Sequence, residues 1–318
     1  MAYHPSAGRW WTRDALPRDL ADVLHYFLPE SRPEPLRRGS ASSRDAPCPS
    51  PAFPPSESPA ISDLPILGIP IGEREIVPAA LLWNLAVETA RLGESAIVLA
   101  PALDRGSPLW PEPGDGPLGA ELHVCDAQSL HELHRSAVEL AQRRVHATRR
   151  RRGLVFVRIP IPWLEAASTG EEFQRAPDGS KPPGTHEATD AAQAGPGAQP
   201  FRWLLLLCSA RPRDLRQAQG LAATLLESSP ELELGVTIHG VRSVEEARQA
   251  FDRLHERVEE DLGRSLYSYG LLVDDLDVYR AIAAQKPIGL AHPQAPATRA
   301  LMDVARLLCE DARSRVLG

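Results

Sequence analysis

Residues 67–93 read LGIPIGEREIVPAALLWNLAVETARLG, and this stretch decides the fold class. Its first residues form an apolar run of the kind found in buried strands, whereas residues 77–92 carry apolar side chains at helical spacing. The charged loop GERE separates the two halves. Because another apolar run, SAIVLAPAL, follows the helix directly, the stretch predicts one β-α-β unit.

The same alternation continues toward the end of the chain. Further strand-like segments are AELHVCD, GLVFVRIPI, WLLLLCSA, LELGVTIHGV and LYSYGLLV, and they alternate with predicted helices over 129–149, 215–226, 244–262, 277–284 and 297–315. Strands that are apolar throughout, such as WLLLLC, are typical of a parallel sheet covered by helices on both faces. The sequence therefore predicts an α/β fold, doubly wound around a mostly parallel sheet.

The composition limits the classes of function and the location that we expect for this protein. A net charge of −7 argues against a general nucleic-acid binder, and 43% apolar residues are ample for a core. The four cysteines form no CxxC pair, which suits a reducing compartment. The N-terminus lacks the pattern of a signal peptide, and no apolar run approaches the ~20 residues needed to cross a bilayer. We therefore expect a cytoplasmic location.

Two segments are too polar and too rich in proline to join a core. Residues 29–60 are dominated by Pro, Ser and Arg, which predicts a flexible linker. Residues from about 166 to 200 have the same character and are predicted to be a disordered insertion. These boundaries predict an N-terminal tail over 1–60 and an α/β domain over 61–318.

Within the tail, residues 17–28 have the pattern of a short amphipathic helix. The apolar residues Leu20, Val23, Leu24 and Phe27 follow the spacing i, i+3, i+4 and i+7. A helix of this kind on a flexible linker docks into a partner's groove or packs back on its own domain, and periodicity does not choose between the two. These four residues are the candidate partner-binding residues.

Three segments resemble the MinD/ParA (deviant Walker) family of P-loop ATPases, and most closely its flagellar-number regulator branch. They are NLAVETARLGESAIVLAPAL, GVTIHGVRSVEEARQAFDRL and YSYGLLVDDLDVYRAIAAQKPIGLAHPQAPATRALMDVARLL. Together they span most of residues 64–310, and the last is the most specific. The resemblance implies a P-loop NTPase-like fold and a dimerising face.

The resemblance also places the family's P-loop on this sequence. With Asn84 as the anchor, the P-loop lysine falls on Pro78, the magnesium-binding hydroxyl on Ala79, and the family's additional lysine on Glu73. Of the loop's glycines only Gly72 remains. A P-loop needs its glycines, lysine and hydroxyl to hold phosphates and Mg²⁺. Carboxylates in this loop are expected instead to face the phosphate space and to repel an anion.

The other nucleotide positions of the family also carry unexpected residues. The Asp-x-Asp after the second strand falls on Pro101 and Leu103, with Asp104 one residue further on. The metal-side aspartate falls on Arg158 and the adenine-contacting asparagine on His239. Phosphoryl transfer depends on such positioned charges. We therefore expect a degenerate pocket with no ATPase activity, no catalytic residues, no cofactor and no metal.

A possible zinc pattern lies across a predicted strand–helix junction. His123, Cys125, His131 and His134 follow the pattern H-x-C-x5-H-x2-H and are residue types that bind zinc. No tight ligand pair supports a site, so surface or core-edge histidines are the favoured interpretation.

The segment RRVHATRRRR, residues 143–152, holds six arginines at a predicted helix end. It is either a basic patch for nucleic acid or membrane, or a solvated helix terminus, and the acidic balance of the chain favours the second interpretation. The terminal helix lacks a basic amphipathic pattern, so no direct membrane insertion is expected.

Three hypotheses for function follow. The first is a non-catalytic MinD/ParA-like pseudo-ATPase that acts as an adaptor or regulator in a bacterial flagellar, polar or secretion assembly. Its partners would be an active relative, a component of the assembly or a second copy of itself. The second is a switch or enzyme that binds another anion through Arg74, Arg158 and His239. The third is a nucleic-acid-binding module that uses residues 143–152.

Overall fold

The computed structural model describes residues 64–102, 111–148, 152–169 and 200–317. Its strands are β1 (Ile66–Ile71), β2 (Ser95–Pro101), β3 (Gly114–Asp115), β4 (Ala120–Cys125), β5 (Gly153–Pro160), β6 (Trp203–Ser209), β7 (Glu233–Val241) and β8 (Tyr267–Val273). Its α-helices are α1 (Ile76–Arg91), α2 (Leu130–Thr148), α3 (Ile161–Thr169), α4 (Pro212–Ser228), α5 (Val244–Leu262), α6 (Leu276–Ala283), α7 (Ile288–Ala291) and α8 (Pro296–Leu317). The predicted tail helix with Leu20, Val23, Leu24 and Phe27 lies outside the described residues.

The strands form a single eight-stranded sheet in the order β3-β4-β2-β5-β1-β6-β7-β8. Every neighbouring pair is parallel except β3 with β4, which is antiparallel. From β1 the chain forms β2, β3 and β4 on one side, returns to place β5 between β2 and β1, and then adds β6, β7 and β8 on the other side. This is the doubly wound arrangement that the sequence predicts.

Helices cover both faces of the sheet. All eight residues of β5 are buried, which requires cover on both sides of this central strand. The helices pack in two groups. Helix α1 packs against α8, and helices α2, α3 and α4 each pack against the next helix along the chain. The core between them is aliphatic, and side chains such as Leu82, Phe156 and Leu204 are fully buried.

Three short elements of the structure are absent from the sequence prediction. Strand β3 has two residues and helix α7 has four, which is too short for any periodicity to register. Helix α3 begins directly after β5 without a breaker, and it extends to Thr169, into the first residues of the predicted insertion. Residues 170–199 of that insertion lie outside the described ranges.

Candidate functional site

In a doubly wound fold, ligands bind beyond the carboxyl ends of the strands. We call this end of the sheet the carboxyl edge; it is where β1, β2, β5, β6 and β7 finish. The sequence-predicted positions Gly72, Glu73, Pro101, Arg158 and His239 all lie at or near it. Leu103 and Asp104 fall within residues 103–110, which the structure does not describe.

A tight turn over residues 72–75 joins β1 to α1. The backbone N–H of Glu75 donates to the carbonyl oxygen of Gly72 over 3.1 Å. In the other direction, the N–H of Gly72 donates to Oε2 of Glu75 over 2.7 Å. The carboxylate of Glu75 thus accepts a hydrogen bond within the turn instead of standing free above it. Glu73 and Arg74 at the tip are exposed.

The two positions that correspond to the P-loop lysine and hydroxyl lie in the first turn of α1. Pro78 and Ala79 are both buried, and Ala79 is only 4% exposed. The N–H of Ala79 donates to the carbonyl oxygen of Glu75 over 3.2 Å, which begins the helical hydrogen bonding. Pro78 has no N–H and Ala79 has no hydroxyl, so neither offers a donor or ligand to the turn.

Arg158 lies in the interior of the sheet. It is on β5, opposite Ile69 of β1, and only 3% of the residue is exposed. A buried guanidinium therefore stands where the resemblance places a metal-side carboxylate. Pro101 is the last residue of β2 and pairs with Cys125 of β4. Neither side chain provides a carboxylate oxygen of the kind that binds Mg²⁺.

His239 lies near the end of β7, between Ser209 of β6 and Leu272 of β8. The pKa of its imidazole is lowered to about 4, mainly by burial; Asp214 opposes the shift and Arg211 contributes to it. The ring is therefore neutral near pH 7.

His239 lines a cavity of about 20 Å³ together with α1, α6 and α8 residues such as Val77, Tyr279 and Leu301. This volume holds about one water molecule. The cavity does not accommodate a nucleotide.

A second polar group closes the carboxyl edge after β6. The hydroxyl of Ser209 donates to Oδ2 of Asp214, and the N–H of Arg211 donates to Oγ of Ser209 over 3.3 Å. Burial raises the pKa of the neighbouring Cys208 thiol to about 12, with further contributions from Asp214 and Glu75. Cys208 is therefore a neutral thiol and not a nucleophile. Sequence reasoning missed Ser209 and Asp214, because no motif marks them.

In α2, α5 and α6, which also begin at this edge, a side chain accepts from one N–H of the first turn, and in α2 and α5 another accepts from an N–H just ahead of the helix. These bonds run from Gln128 to Glu132, from Glu132 to Ser129, from Arg242 to Glu246, from Glu246 to Ser243 and from Asp277 to Asp275, at 2.8–3.3 Å. Free N–H groups at helix starts are what bind anions in nucleotide-binding folds. In these three helices a side chain already occupies one such N–H group.

The predicted zinc pattern does not assemble. His123 Nε2 lies 3.1 Å from Oε2 of Glu121, and His134 packs edge-on against Phe201 with ring centroids 4.9 Å apart. Burial and the nearby His131 lower the pKa of His134. Across the described residues, no group of three or more His, Cys, Asp and Glu side chains has the geometry to hold a metal ion.

The arginine run 143–152 lies partly on α2. Arg143 pairs with Glu139 at 3.8 Å, and Arg144 pairs with Glu121 at 2.7 Å and with the Ser95 hydroxyl at 3.3 Å. Arg144 is thereby tied to the sheet rather than presented to a ligand. Residues 149–151 of the run lie outside the described ranges. In the described parts of the chain, no helix is long and apolar enough to cross a membrane.

No family model and no curated protein matches this sequence. Solved structures do match. The MinD cell division protein of Aquifex aeolicus superposes with a TM-score of 0.50 at 14% identity, covering 77% of this chain and 96% of MinD. MinD in the MinC:MinD complex of the same organism gives the same TM-score and identity, with 95% of that chain covered. MinD of Pyrococcus furiosus, described as a cell division ATPase, matches with a TM-score of 0.48 at 10% identity, over 77% of this chain and 98% of that one.

The chain has the fold of MinD. The predicted fold class, an α/β fold of the P-loop NTPase type, is thereby confirmed. Sequence identities as low as these are evidence for the fold only, so membership of the flagellar branch stays a prediction.

Proposed function

We propose that this protein is a non-catalytic MinD/ParA-like protein that acts through contacts with other proteins, as an adaptor or regulator in a bacterial assembly. The observation that carries the proposal is the closed turn at the end of β1, where the Gly72 N–H already bonds the Glu75 carboxylate at 2.7 Å. A nucleotide-binding turn instead presents such groups to phosphate. The protein is proposed to hydrolyse no ATP and to work in the cytoplasm.

The charges around the turn support the same proposal. Phosphoryl transfer needs a lysine at the β- and γ-phosphates and carboxylates that hold Mg²⁺ through its water. The corresponding positions carry Pro78, Pro101 and the buried cation Arg158. Arg74 is exposed at the tip of the turn, and residues 72–79 contain no lysine.

An exposed apolar patch on the carboxyl edge supports the adaptor role. Ile76 at the start of α1 is 44% exposed, and Leu276 and Tyr279 in the first turn of α6 are 61% and 46% exposed. The two helix starts lie next to each other, because Val77 and Tyr279 line the same cavity. Contiguous exposed apolar side chains mark protein contact sites. We call Ile76, Leu276 and Tyr279 the edge patch.

The candidate partners are those that the resemblance implies: an active MinD/ParA-like relative, a flagellar or secretion component, or a second copy of this chain. One structural neighbour, MinD of Aquifex aeolicus, was solved in complex with another protein, MinC. The tail residues Leu20, Val23, Leu24 and Phe27 are the proposed tether, and the edge patch is the proposed docking surface.

Thermal melting with ATP and Mg²⁺ tests the loss of nucleotide chemistry. A ligand at 1,000 times its Kd stabilises a fold by about 4 kcal/mol, which moves the melting temperature by several degrees. We expect no shift with millimolar ATP and Mg²⁺ and no phosphate release above a blank. A magnesium-dependent shift that is abolished by altering residues 72–79 would overturn the proposal.

A rescue variant sharpens this test. Restoring the two P-loop residues alone, as Pro78→Lys with Ala79→Thr, should not produce ATP hydrolysis, because Pro101 and Arg158 still stand where carboxylates are required. Hydrolysis by this variant would show that the turn alone limits the activity.

Affinity capture tests the adaptor role. The full chain, a variant without residues 1–60 and Leu276→Glu are compared, with Leu118→Glu as the matched control. Leu118 is 52% exposed but precedes β4, at the opposite end of the sheet from the edge patch. We expect the truncation and Leu276→Glu to lose a MinD/ParA-like or flagellar partner that Leu118→Glu retains. Recovery of the same proteins by all four would refute both the tether and the docking surface.

A further inference from the structure

We infer that the helix predicted over residues 17–28, here called the tail helix, docks on the edge patch of its own chain and covers it until a partner arrives. The inference rests on the proposed function, because it concerns the same two surfaces, the tether and the edge patch. It adds a step of regulation. In the free protein each surface covers the other, and a partner that uses both has to separate them first.

The edge patch offers a surface of the kind on which a helix packs. Leu276 and Tyr279 follow the spacing i, i+3 on α6, so their side chains lie on one face of that helix. Ile76, at the start of α1, lies next to them, since Val77 and Tyr279 line one cavity. Two adjacent helix starts thus expose large apolar side chains. A helix packs on such a surface through apolar residues three or four positions apart.

The tail helix has an apolar stripe with this spacing. Leu20, Val23, Leu24 and Phe27 share one face over about two turns, and Asp22 is on the opposite face. A single helix shorter than about 12–15 residues is only marginally stable in water. Burial of its stripe is therefore what stabilises a helix of this length. The edge patch supplies an apolar surface for that burial.

The length of the connecting chain allows the tail helix to reach the patch. Leu64 is 1% exposed and lies two residues ahead of β1, so the chain enters the domain at the amino end of that strand. The path from there to the patch is the length of β1, about 20 Å, and three strand spacings of about 4.8 Å across to β8. Residues 29–63 form a predicted linker of about 35 residues, with a root-mean-square reach of roughly 30 Å.

The same connection favours the chain's own tail over the tail of a second copy. A helix on a linker whose reach matches the span has an effective concentration on the order of 1 mM at its docking surface. A second copy at micromolar concentration is about a thousandfold more dilute than this. Weak contacts are therefore enough for docking within one chain, whereas they do not hold two chains together.

The charges on the two surfaces are complementary. Segment 274–277, where α6 begins, holds three aspartates, and Asp274 is exposed. Residues 1–18 hold three arginines and one aspartate, and Arg18 lies in the first turn of the tail helix. Opposite charges beside an apolar contact steer the encounter and fix its orientation. We expect the tail helix to dock with its arginine-rich start toward Asp274.

A fluorescent peptide of residues 13–30 tests whether the patch is covered in the full chain. The wild type is compared with a full-chain variant that combines Leu24→Asp with Phe27→Asp and so disrupts its own stripe. The peptide should bind this variant with a Kd about tenfold lower than the wild type, because the intact tail competes at its high effective concentration. A peptide with Leu24→Asp should not bind, whereas one with Asp22→Asn, changed on the opposite face, should bind like the parent peptide.

Two further substitutions locate the binding surface. In the variant with the disrupted tail, Leu276→Glu should abolish peptide binding, whereas Leu118→Glu, at a residue 52% exposed at the other end of the sheet, should not. Three results would overturn the inference: the same Kd for the wild type and the disrupted variant, no binding to either, or binding that survives Leu276→Glu. A difference in Kd that appears only as the protein concentration rises would make a second copy the occupant and would also overturn it. ATP hydrolysis by the wild type would overturn the proposed function but not change the peptide result, so the two failures are distinguishable.

Discussion

Oδ1 of Asn84 accepts a hydrogen bond from the backbone N–H of Ile288 over 2.7 Å, joining residues 204 positions apart. Asn84 is buried within α1, and its Nδ2 donates to the carbonyl oxygen of Ala80 over 2.7 Å. Ile288 begins α7, a helix of four residues that is too short to be stable alone. One side chain of α1 therefore fixes the position of this late segment.

Replacing Asn84 with alanine should destabilise the fold by about 1–3 kcal/mol, because the buried Ile288 N–H loses its acceptor. Urea unfolding measures the change, and hydrogen exchange at Ile288 should speed up. Gln217→Ala removes an exposed amide side chain on α4 and should stay within about 0.5 kcal/mol of the wild type. The interpretation is wrong if the two variants unfold at the same urea concentration.

Gly289→Ala should lower the free energy of unfolding, whereas Gly220→Ala should raise it. A Cβ on Gly289 of α7 would lie 1.9 Å from Oε1 of Glu88, which is 1% exposed and paired with Arg91 at 3.0 Å. Because that pair is packed in place, Gly289→Ala should cost about 1–3 kcal/mol. Gly220 lies within α4 with nothing within 4 Å of an added Cβ, so Gly220→Ala should stabilise by about 0.5–1 kcal/mol.

Urea unfolding of the two variants beside the wild type tests these two stability changes. A Gly289→Ala protein as stable as the wild type would mean that the Glu88–Arg91 pair moves aside freely. A destabilised Gly220→Ala protein would mean that the α4 surface is covered in solution.

Tyr269 should be the tyrosine on which stability depends most. Its hydroxyl donates to Oδ2 of Asp311 at 2.6 Å and accepts from Nε1 of Trp203 at 3.2 Å. Burial and the nearby Asp311 keep the pKa of Tyr269 well above its ordinary value, so the hydroxyl stays protonated and continues to donate. Tyr269→Phe should lower the free energy of unfolding, measured with urea, by about 1–3 kcal/mol, because Asp311 and Trp203 lose their hydrogen-bond partner.

Tyr279→Phe is the comparison for this prediction. Tyr279 is 46% exposed and its hydroxyl donates to Asp274 at 3.0 Å where water can replace it. Its removal should change the free energy of unfolding by less than about 0.5 kcal/mol. Similar losses in both variants would contradict the special role of the buried hydroxyl.

The sequence predicts the alternation of strands and helices well for a physical reason. Strands such as β5 and β6 are apolar over nearly their whole length, and helices such as α5 carry a clear apolar stripe with a Ser243 cap. The exceptions are elements that tertiary contacts define. The first N–H of helix α7 donates to the side chain of the distant Asn84, and no local sequence pattern indicates such a contact.

The candidate site is predictable in position but not in contacts. Gly72, Glu73 and His239 lie at or near the carboxyl edge, whereas Arg158 is buried within β5. The resemblance did not predict that Glu75 turns back onto the Gly72 N–H, because the direction of a side chain in a turn depends on backbone geometry that the sequence does not specify.

His239 gives the fold a defined pH dependence. Its pKa is lowered from 6.5 to about 4 in the folded state, mainly by burial. Between these two pH values the unfolded chain carries a proton on His239 that the folded chain does not. Stability is therefore unaffected above the unfolded pKa, falls as the pH drops through this window, and levels off below the folded pKa.

We expect the wild type to lose about 2 kcal/mol more than His239→Asn between pH about 7 and pH about 5 in urea unfolding. Comparing the two proteins removes the contributions of other groups, such as Glu88, whose raised pKa acts in the opposite direction. Arg211→Gln provides a second check: it removes one cause of the lowered pKa, so it should narrow the pH range over which stability falls. Asp214→Asn removes the opposing charge and should widen that pH range. Equal pH dependence in the wild type and His239→Asn would show that the folded imidazole takes up its proton as readily as the unfolded one.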